Sequence, residues 1–568
     1  MPVLPPSRAN PFGVGAFSEQ VILSDDILLN IFRHCLDASP QVWPTLSWIC
    51  QSWRRIVLLS PLGLDLRLYC TPGVPVLKTI DCWPTLPLIL QYGGVPNLDP
   101  PASEDDENII TALKRSGRVS SISLTVTSTL FERLSTISEP FTDLEELILL
   151  CKDGTRPTLP STFRWGPRLR KLHSTGIGFP SFSLLVSPCH DLVDLRLHDI
   201  PSAGYFSPEA FVNAASGMTQ LEYLSLHFYS SPPRRNFIIL PPPLGGRTIL
   251  PALTCLKYRG ISKYLDTLVA RIDAPSLGDI DVILFSQPTM DVLQLGRFIE
   301  RIGMQTFLSH AEVQISAHAI SISFHNPSTS TPLRLQISCK QLDWQLSSLT
   351  QVCRQFSLLP SRVQNIVINT TRSSTGQDDI HGEQWLELVR LFGGVRDFRV
   401  AGKLTTNFLS VFGTAGGGHS TLLSSLRNLH IEWPMAMNER CWDALHSFVA
   451  SRSLSDRSIQ FEVRSYMCHI CHSRFKWQRE LHSHIVEKHA YRIVCSYCSD
   501  FERKQGRNHL FLKHLEWKHL EETHNDPLIS DPALTDFRYF HLESLLYRHS
   551  SLLAPGTVAP PSTVVSYF

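Results

Sequence analysis

The sequence predicts an α/β protein. Three observations carry that prediction. Apolar residues recur at three-to-four spacing near the N-terminus, a short alternating apolar motif returns through the middle, and Cys and His crowd a segment near the C-terminus. At about 150 residues per domain, a chain of 568 residues holds three or four domains. With 43% apolar and 18% charged residues it can bury a core, which excludes a disordered chain. The 52 Lys and Arg against 51 Asp and Glu leave a net charge of +1. That balance excludes a globally basic nucleic-acid binder, though not a local basic patch.

The elements follow in order. Residues 1–16 are Pro-rich and read as a disordered N-terminus. They lack the basic start and long apolar run of a secretory signal. No stretch reaches the about 18 uninterrupted apolar residues of a membrane span. The expected setting is intracellular, nucleus or cytoplasm. Ten of the 14 cysteines are scattered singly, most in apolar surroundings, which suits buried thiols in a reducing compartment.

Residues 17–60 read as helical. Ser24 is a good N-cap, and Asp25 and Asp26 suit the first turn of a helix dipole. Ile27, Leu28, Ile31, Phe32, Cys35 and Leu36 then form one apolar face. Pro40 and Pro44 interrupt, and a second stripe follows: Leu46, Ile49, Cys50, Trp53, Ile56 and Val57, closed by Pro61. A unit this small needs something to pack against.

The run LSDDILLNIFRHCLDASPQVWPTLSWICQSWRRIV resembles an F-box, whose pattern is an L-P start, an I-L-x-x-I-F core and a later V-C-x-x-W-R. Here Leu23-Ser24 stands for Leu-Pro, and Ile49-Cys50-Gln51-Ser52-Trp53-Arg54 for the last element. The resemblance covers about 40 of the 568 residues. It implies docking on a Skp1-like adaptor of a cullin ligase, with Leu23, Ile27, Ile31, Phe32, Leu46, Cys50 and Trp53 forming or supporting the interface. A helical cap over the next domain is the structural alternative.

Residues 61–460 repeat an L-x-x-L-x-L pattern. The copies are VSSISL, LEELIL, LRKLHS, LVDLRL, LEYLSL, LTCLKY, LGDIDV, VQNIVI, VRDFRV and LRNLHI. Their central anchors, residues 122, 147, 172, 195, 224, 256, 280, 366, 398 and 429, are spaced 25, 25, 23, 29, 32, 24, 86, 32 and 31 apart. The gap of 86 is expected to hide one or two degenerate copies, with AISISF at 319–324 as a candidate. One short strand per period of roughly 20–30 residues is the signature of a leucine-rich-repeat solenoid, whose copies must stack to bury their apolar faces. The Asn or Cys of that family is missing, as at Thr127, Lys152, Ile200 and Pro434, so the solenoid is expected to be irregular. The competing reading is a parallel-sheet α/β domain without a true repeat. Loops are expected at 99–108, 230–236, 241–248, 325–332 and 413–420.

Residues 464–524 carry the strongest chemical signal. Cys468 and Cys471 are followed after 12 intervening residues by His484, and after four more by His489. Two thiolates on a turn and two imidazoles near one helix face can close a tetrahedral Zn²⁺ site. Tyr466, Phe475 and Leu481 supply the small core, and zinc supplies folding energy. The segment resembles a ββα C2H2 zinc finger. A second copy has Cys495 and Cys498, with either His514/His519 or His509/His514; the first pair is preferred because Phe511 then sits as Leu481 does. One or two Zn²⁺ ions are therefore expected. From 464 to 519 there are eleven Lys or Arg against five Asp or Glu, which favours phosphate contact. Trp477, Glu480 and Ser483, with Arg479 beside them, occupy the positions that would meet bases, and Trp477 is a poor base reader. Residues 525–568 read as a short helix, with Leu534, Phe537 and Leu545 at 532–549, and a flexible tail.

The whole chain resembles large fungal F-box families with degenerate repeats. No GxSxG elbow, P-loop, HExxH or GxGxxG in a strand–helix setting occurs, so a non-enzyme is expected. The expected function is substrate recognition for a ubiquitin ligase, with the repeats holding an unknown target protein. The alternative is a zinc-finger nucleic-acid-binding regulator with a merely structural helical unit.

Overall fold

The computed structural model describes most of residues 23–464. It omits 93–102, 231–245, 371–381, 403–407, 409–422, 433–438, 454–458 and a few shorter stretches. Beyond 464 it describes only Tyr466–Met467, Arg474–Phe475, Ile493–Val494 and Glu502–Arg503. The Pro-rich start, the 413–420 loop and the helix expected at 532–549 lie outside the described residues. The chain is mixed α/β with a large, mostly parallel sheet arrangement, and divides into two units, Met1–Phe206 and Ser207–Phe568. No described helix is long and apolar enough to cross a membrane.

The first unit opens with three helices: α1 (Asp25–Ala38), α2 (Trp43–Ile49) and α3 (Gln51–Leu59). Ser24 stands at the N-cap of α1 but makes no side-chain capping bond, so Asp25 and Asp26 are left to favour that end. The second apolar stripe is not one helix. Cys50 is extended (φ −155°, ψ 168°) and breaks it in two, its sulfur accepting the Trp53 N–H at 3.4 Å to start α3. Six parallel strands follow, paired in chain order: β1 (Leu68–Cys70), β2 (Leu88–Tyr92), β3 (Val119–Val126), β4 (Glu146–Cys151), β5 (Lys171–Thr175) and β6 (Asp194–Ile200). The anchors Ile122, Leu147, Leu172 and Leu195 stand directly opposite one another and are buried. Alternation explains this: residues i and i+2 share a face, so one apolar set turns inward on every strand.

The expected 99–108 loop is partly wrong. A helix, Ser103–Leu113, begins inside it. Its acid-rich first turn suits the helix dipole, and two of its side chains bond backbone around the start of the earlier helix Val76–Cys82. Asp105 accepts the Gly73 N–H and Asn108 the Val76 N–H.

In the second unit the strands are β7 (Tyr223–Phe228), β8 (Thr248–Ile249), β9 (Cys255–Gly260), β10 (Ile272–Asp273), β11 (Asp279–Phe285), β12 (His310–Ile315), β13 (Ala319–Asn326), β14 (Thr329–Ser338), β15 (Asn365–Thr370), β16 (Asp397–Gly402), β17 (Asn428–Glu432) and β18 (Gln460–Arg464). β8 and β10 pair separately. The others run in the order β7-β9-β11-β14-β13-β12-β15-β16-β17-β18. Leu224, Leu256 and Ile280 align across the first three, and Ile366, Phe398 and Leu429 across β15 to β17.

The gap of 86 residues holds three strands, not a simple degenerate copy. AISISF lies on β13, which runs antiparallel to both neighbours, so it is not a parallel repeat. The chain passes two strand positions, returns through β13, and lays β14 beside β11. Apolar registry survives the reversal, since Ile322 faces both Leu335 and Val313. The expected 325–332 loop is largely strand for the same reason.

Side chains tie successive elements together. Asp266 accepts the Gln294 and Leu295 N–H groups and so caps the helix Leu293–Arg301 from outside; burial pushes its carboxyl up to about 6 against those two bonds. Gln355 accepts from Val292 N and donates to the Met290 carbonyl. In the first unit Gly178 and Gly204 touch backbone to backbone, and a Cβ on Gly204 would fall inside contact distance of Gly178 Cα and Phe179 N. Gly204→Ala is expected to cost roughly 1–3 kcal/mol, as an overpacked site does. Thermal unfolding checks it, and an unchanged midpoint would contradict the close approach.

Candidate functional site

The helical unit carries two kinds of apolar side chain. On α1, Leu28, Phe32 and Leu36 recur at four-residue spacing and are buried. Phe32 is fully buried and meets Trp53 edge-on at 4.8 Å. Ile27 and Ile31 form a second line at the same spacing and are exposed by 48% and 40%; Leu23, just ahead of the helix, is exposed too. The single face read from the sequence is therefore two lines. Leu46 is buried, Trp53 half-buried and Cys50 exposed. Of the seven residues assigned to the interface, Leu23, Ile27, Ile31 and Cys50 reach solvent; Phe32 and Leu46 belong to the interior.

Sequence reasoning missed Trp48, exposed by 72% at the end of α2, and Leu58 and Leu59 on α3. The signal was present: WPTLSWI needs only one side for Leu46, which leaves Trp48 elsewhere. On its inner side, Trp43 is 2% exposed, donates its indole N–H to the Arg67 carbonyl at 2.8 Å and packs edge-on against Trp83. The helices thus rest on the start of β1 with one side. Arg55 and Asp25 pair at 3.4 Å but are both well exposed, which makes the pair worth little.

The other faces of the strands carry charged and polar residues among apolar ones such as Ile148, Leu150 and Ile283. In the first unit Ser121, Glu146, Lys171 and Asp194 form one cross-strand row. Burial alone would raise the Asp194 carboxyl, but His173 at 3.0 Å and Arg196 at 2.8 Å hold it below the usual range. In the second unit a row runs Lys257, Asp281, Arg334, Ser323 and Glu312. Mixed charge of this kind fits a protein surface better than a nucleic-acid backbone.

The described cysteines are all free. Cys70, Cys189, Cys339 and Cys353 are buried as expected, whereas Cys35, Cys50 and Cys82 are exposed. Burial pushes the Cys70 thiol up to about 11 and that of Cys353 up to about 12, so neither is a ready nucleophile.

The zinc-ligand candidates Cys468, Cys471, His484, His489, Cys495, Cys498, His514 and His519 lie outside the described residues, as does His509. The short strands around them are described. β19 (Tyr466–Met467) ends at the residue before Cys468 and pairs antiparallel with β20 (Arg474–Phe475), placing Tyr466 opposite Phe475. β21 (Ile493–Val494) ends just before Cys495 and pairs antiparallel with β22 (Glu502–Arg503). Each Cys-x-x-Cys thus lies in the connection of a two-stranded hairpin. Two thiols on such a turn, followed by two imidazoles, are a donor set that fits Zn²⁺.

No family model matches the chain, and no curated protein is significantly similar to it.

Proposed function

We propose that this chain is a non-enzymatic, F-box-type substrate receptor of a cullin ubiquitin ligase. The observation that carries the reading is the exposed apolar line Leu23, Ile27 and Ile31, with Trp48 and Ile49 on the same small unit. Leaving large apolar side chains in water is unfavourable unless a partner covers them. An aliphatic line beside an exposed Trp suits a protein groove, and a Skp1-like adaptor is the partner the F-box resemblance implies. The strands then act as an irregular leucine-rich-repeat scaffold whose mixed-charge face holds a target protein. The Cys/His segment forms C2H2-type fingers with one or two Zn²⁺ ions, and the paired hairpins around Cys468/Cys471 and Cys495/Cys498 support that assignment.

The competing role for the helices, a cap over the strands, draws on the Trp43–Arg67 bond. The two roles use different side chains of the unit and are compatible. The nucleic-acid reading draws on the local charge excess of 464–519. It predicts salt-sensitive DNA binding that is lost in Cys468→Ser.

Ile31→Asp tests the receptor reading. It places a charge on a solvent-facing position, so the melting temperature should stay within a degree or two, about 0.5 kcal/mol or less. Adaptor binding should fall by about a hundredfold or more, in line with loss of an interface anchor. Unchanged affinity in a folded Ile31→Asp protein would remove the proposal.

A further inference from the structure

We infer that His310 and His325 form a two-histidine site for a late first-row divalent transition-metal ion, distinct from the Cys/His segment. His310 on β12 and His325 on β13 stand directly opposite each other across the antiparallel pair. Their ring centroids lie 5.6 Å apart, with the planes inclined by 31°. Opposed residues on such strands have Cβ atoms about 4.5–5.5 Å apart. One ion at about 2.1 Å from each of two nitrogens needs those nitrogens only about 3.4 Å apart, which small ring rotations supply.

The surroundings suit ligation. Ser309 Oγ lies 3.0 Å from His310 Nδ1, and Asn365 Nδ2 lies 2.8 Å from His310 Nε2. An amide N–H directed at Nε2 places the lone pair there and the ring proton on Nδ1, facing the serine hydroxyl. Outer-shell partners of this kind fix the tautomer of metal-binding histidines. An arriving ion takes the place of the Asn365 donor on Nε2. Burial first, and His325 beside it, hold the His310 imidazole below its ordinary range. Acidic groups stand nearby: Glu312 two residues along β12, and Asp397 beyond Asn365 in the same row. Arg334 and Arg399 are the cations of the adjoining row.

No group of three or more His, Cys, Asp or Glu side chains that could hold a metal occurs among the described residues. The protein therefore contributes two ligands here, and water or a group from a bound partner completes the shell. Imidazole pairs suit Ni²⁺, Cu²⁺ and Zn²⁺ over Mg²⁺ or Ca²⁺.

The test is calorimetric titration of Ni²⁺ into the full chain carrying only the Zn²⁺ it retains after dialysis, which fills the tight Cys/His segment and leaves a weak two-histidine site open. One Ni²⁺ site should weaken by about tenfold or more in His310→Gln and in His325→Gln. It should persist in His318→Gln, on the turn that closes the far end of the β12–β13 pair. Cu²⁺ electron paramagnetic resonance supplies a second readout: coupling to two nitrogens in the wild type, and to at most one in either variant. Superimposable isotherms and spectra for wild type and the two variants would overturn the inference. Circular dichroism checks that each variant is folded, and both glutamines sit on half-buried, polar-face positions that tolerate them.

Discussion

On the zinc-finger reading, chelating zinc from the full chain is expected to unfold residues 466–524 and to leave strands β1 to β17 in place. Size is the reason. The finger reading assigns Tyr466, Phe475, Leu481 and their counterparts to two very small cores, too little to offset backbone ordering. A tetrahedral thiolate–imidazole site contributes about 10–16 kcal/mol at pH 7 in comparable peptides, which becomes folding energy. Hydrogen exchange should show amides of 464–519 losing protection with chelator and in Cys468→Ser, while β3 to β6 and β15 to β17 stay protected. Protection unchanged in both conditions, with no metal found on the purified chain, would contradict the assignment. The same comparison separates the histidine alternatives. His519→Ala and His509→Ala should differ in zinc stoichiometry, and only the true ligand lowers it.

Phe32→Ala melts the helical unit. Phe32 is fully buried and its ring meets Trp53 at 4.8 Å, so truncation opens a cavity between α1 and α3. Such a change costs about 3–5 kcal/mol, a large share of what a unit this small can have. Exchange protection across α1–α3 should collapse, and adaptor binding should disappear with it. Ile31→Asp, one residue away, should lose binding and keep protection. The two neighbours fail for different reasons, and that contrast is what the two-line geometry of α1 predicts. A Phe32→Ala protein with full helical protection would show that the interior line is misassigned.

Much of the strand architecture could be read directly. Ile122, Leu147, Leu172 and Leu195 mark strands because alternate residues share a face, and the same alternation aligns them across neighbours. Three things escaped. The direction of β13 did, because an antiparallel strand has the same period of two as a parallel one; Ile320, Ile322 and Phe324 alternate like any other copy. The split of the α1 stripe also escaped, since i+3 and i+4 spacing cannot say which of two adjacent lines meets the interior until α3 is placed against Phe32. Finally, His310 and His325 are separated by fourteen residues and become neighbours only through the β12–β13 pairing. The cysteine spacing at 468–471 and 495–498 suggests a metal site without reference to any fold, because ligand geometry is local, and those residues lie outside the described ones.

The proposed receptor role requires the exposed side of α1 to be a docking surface. Its most direct measurement is light scattering on the purified full chain mixed with a Skp1-like adaptor and separated by size. The expected result is a one-to-one complex that forms at micromolar concentration or below and is absent with Ile31→Asp. Separate elution of the two wild-type proteins at tens of micromolar would contradict it.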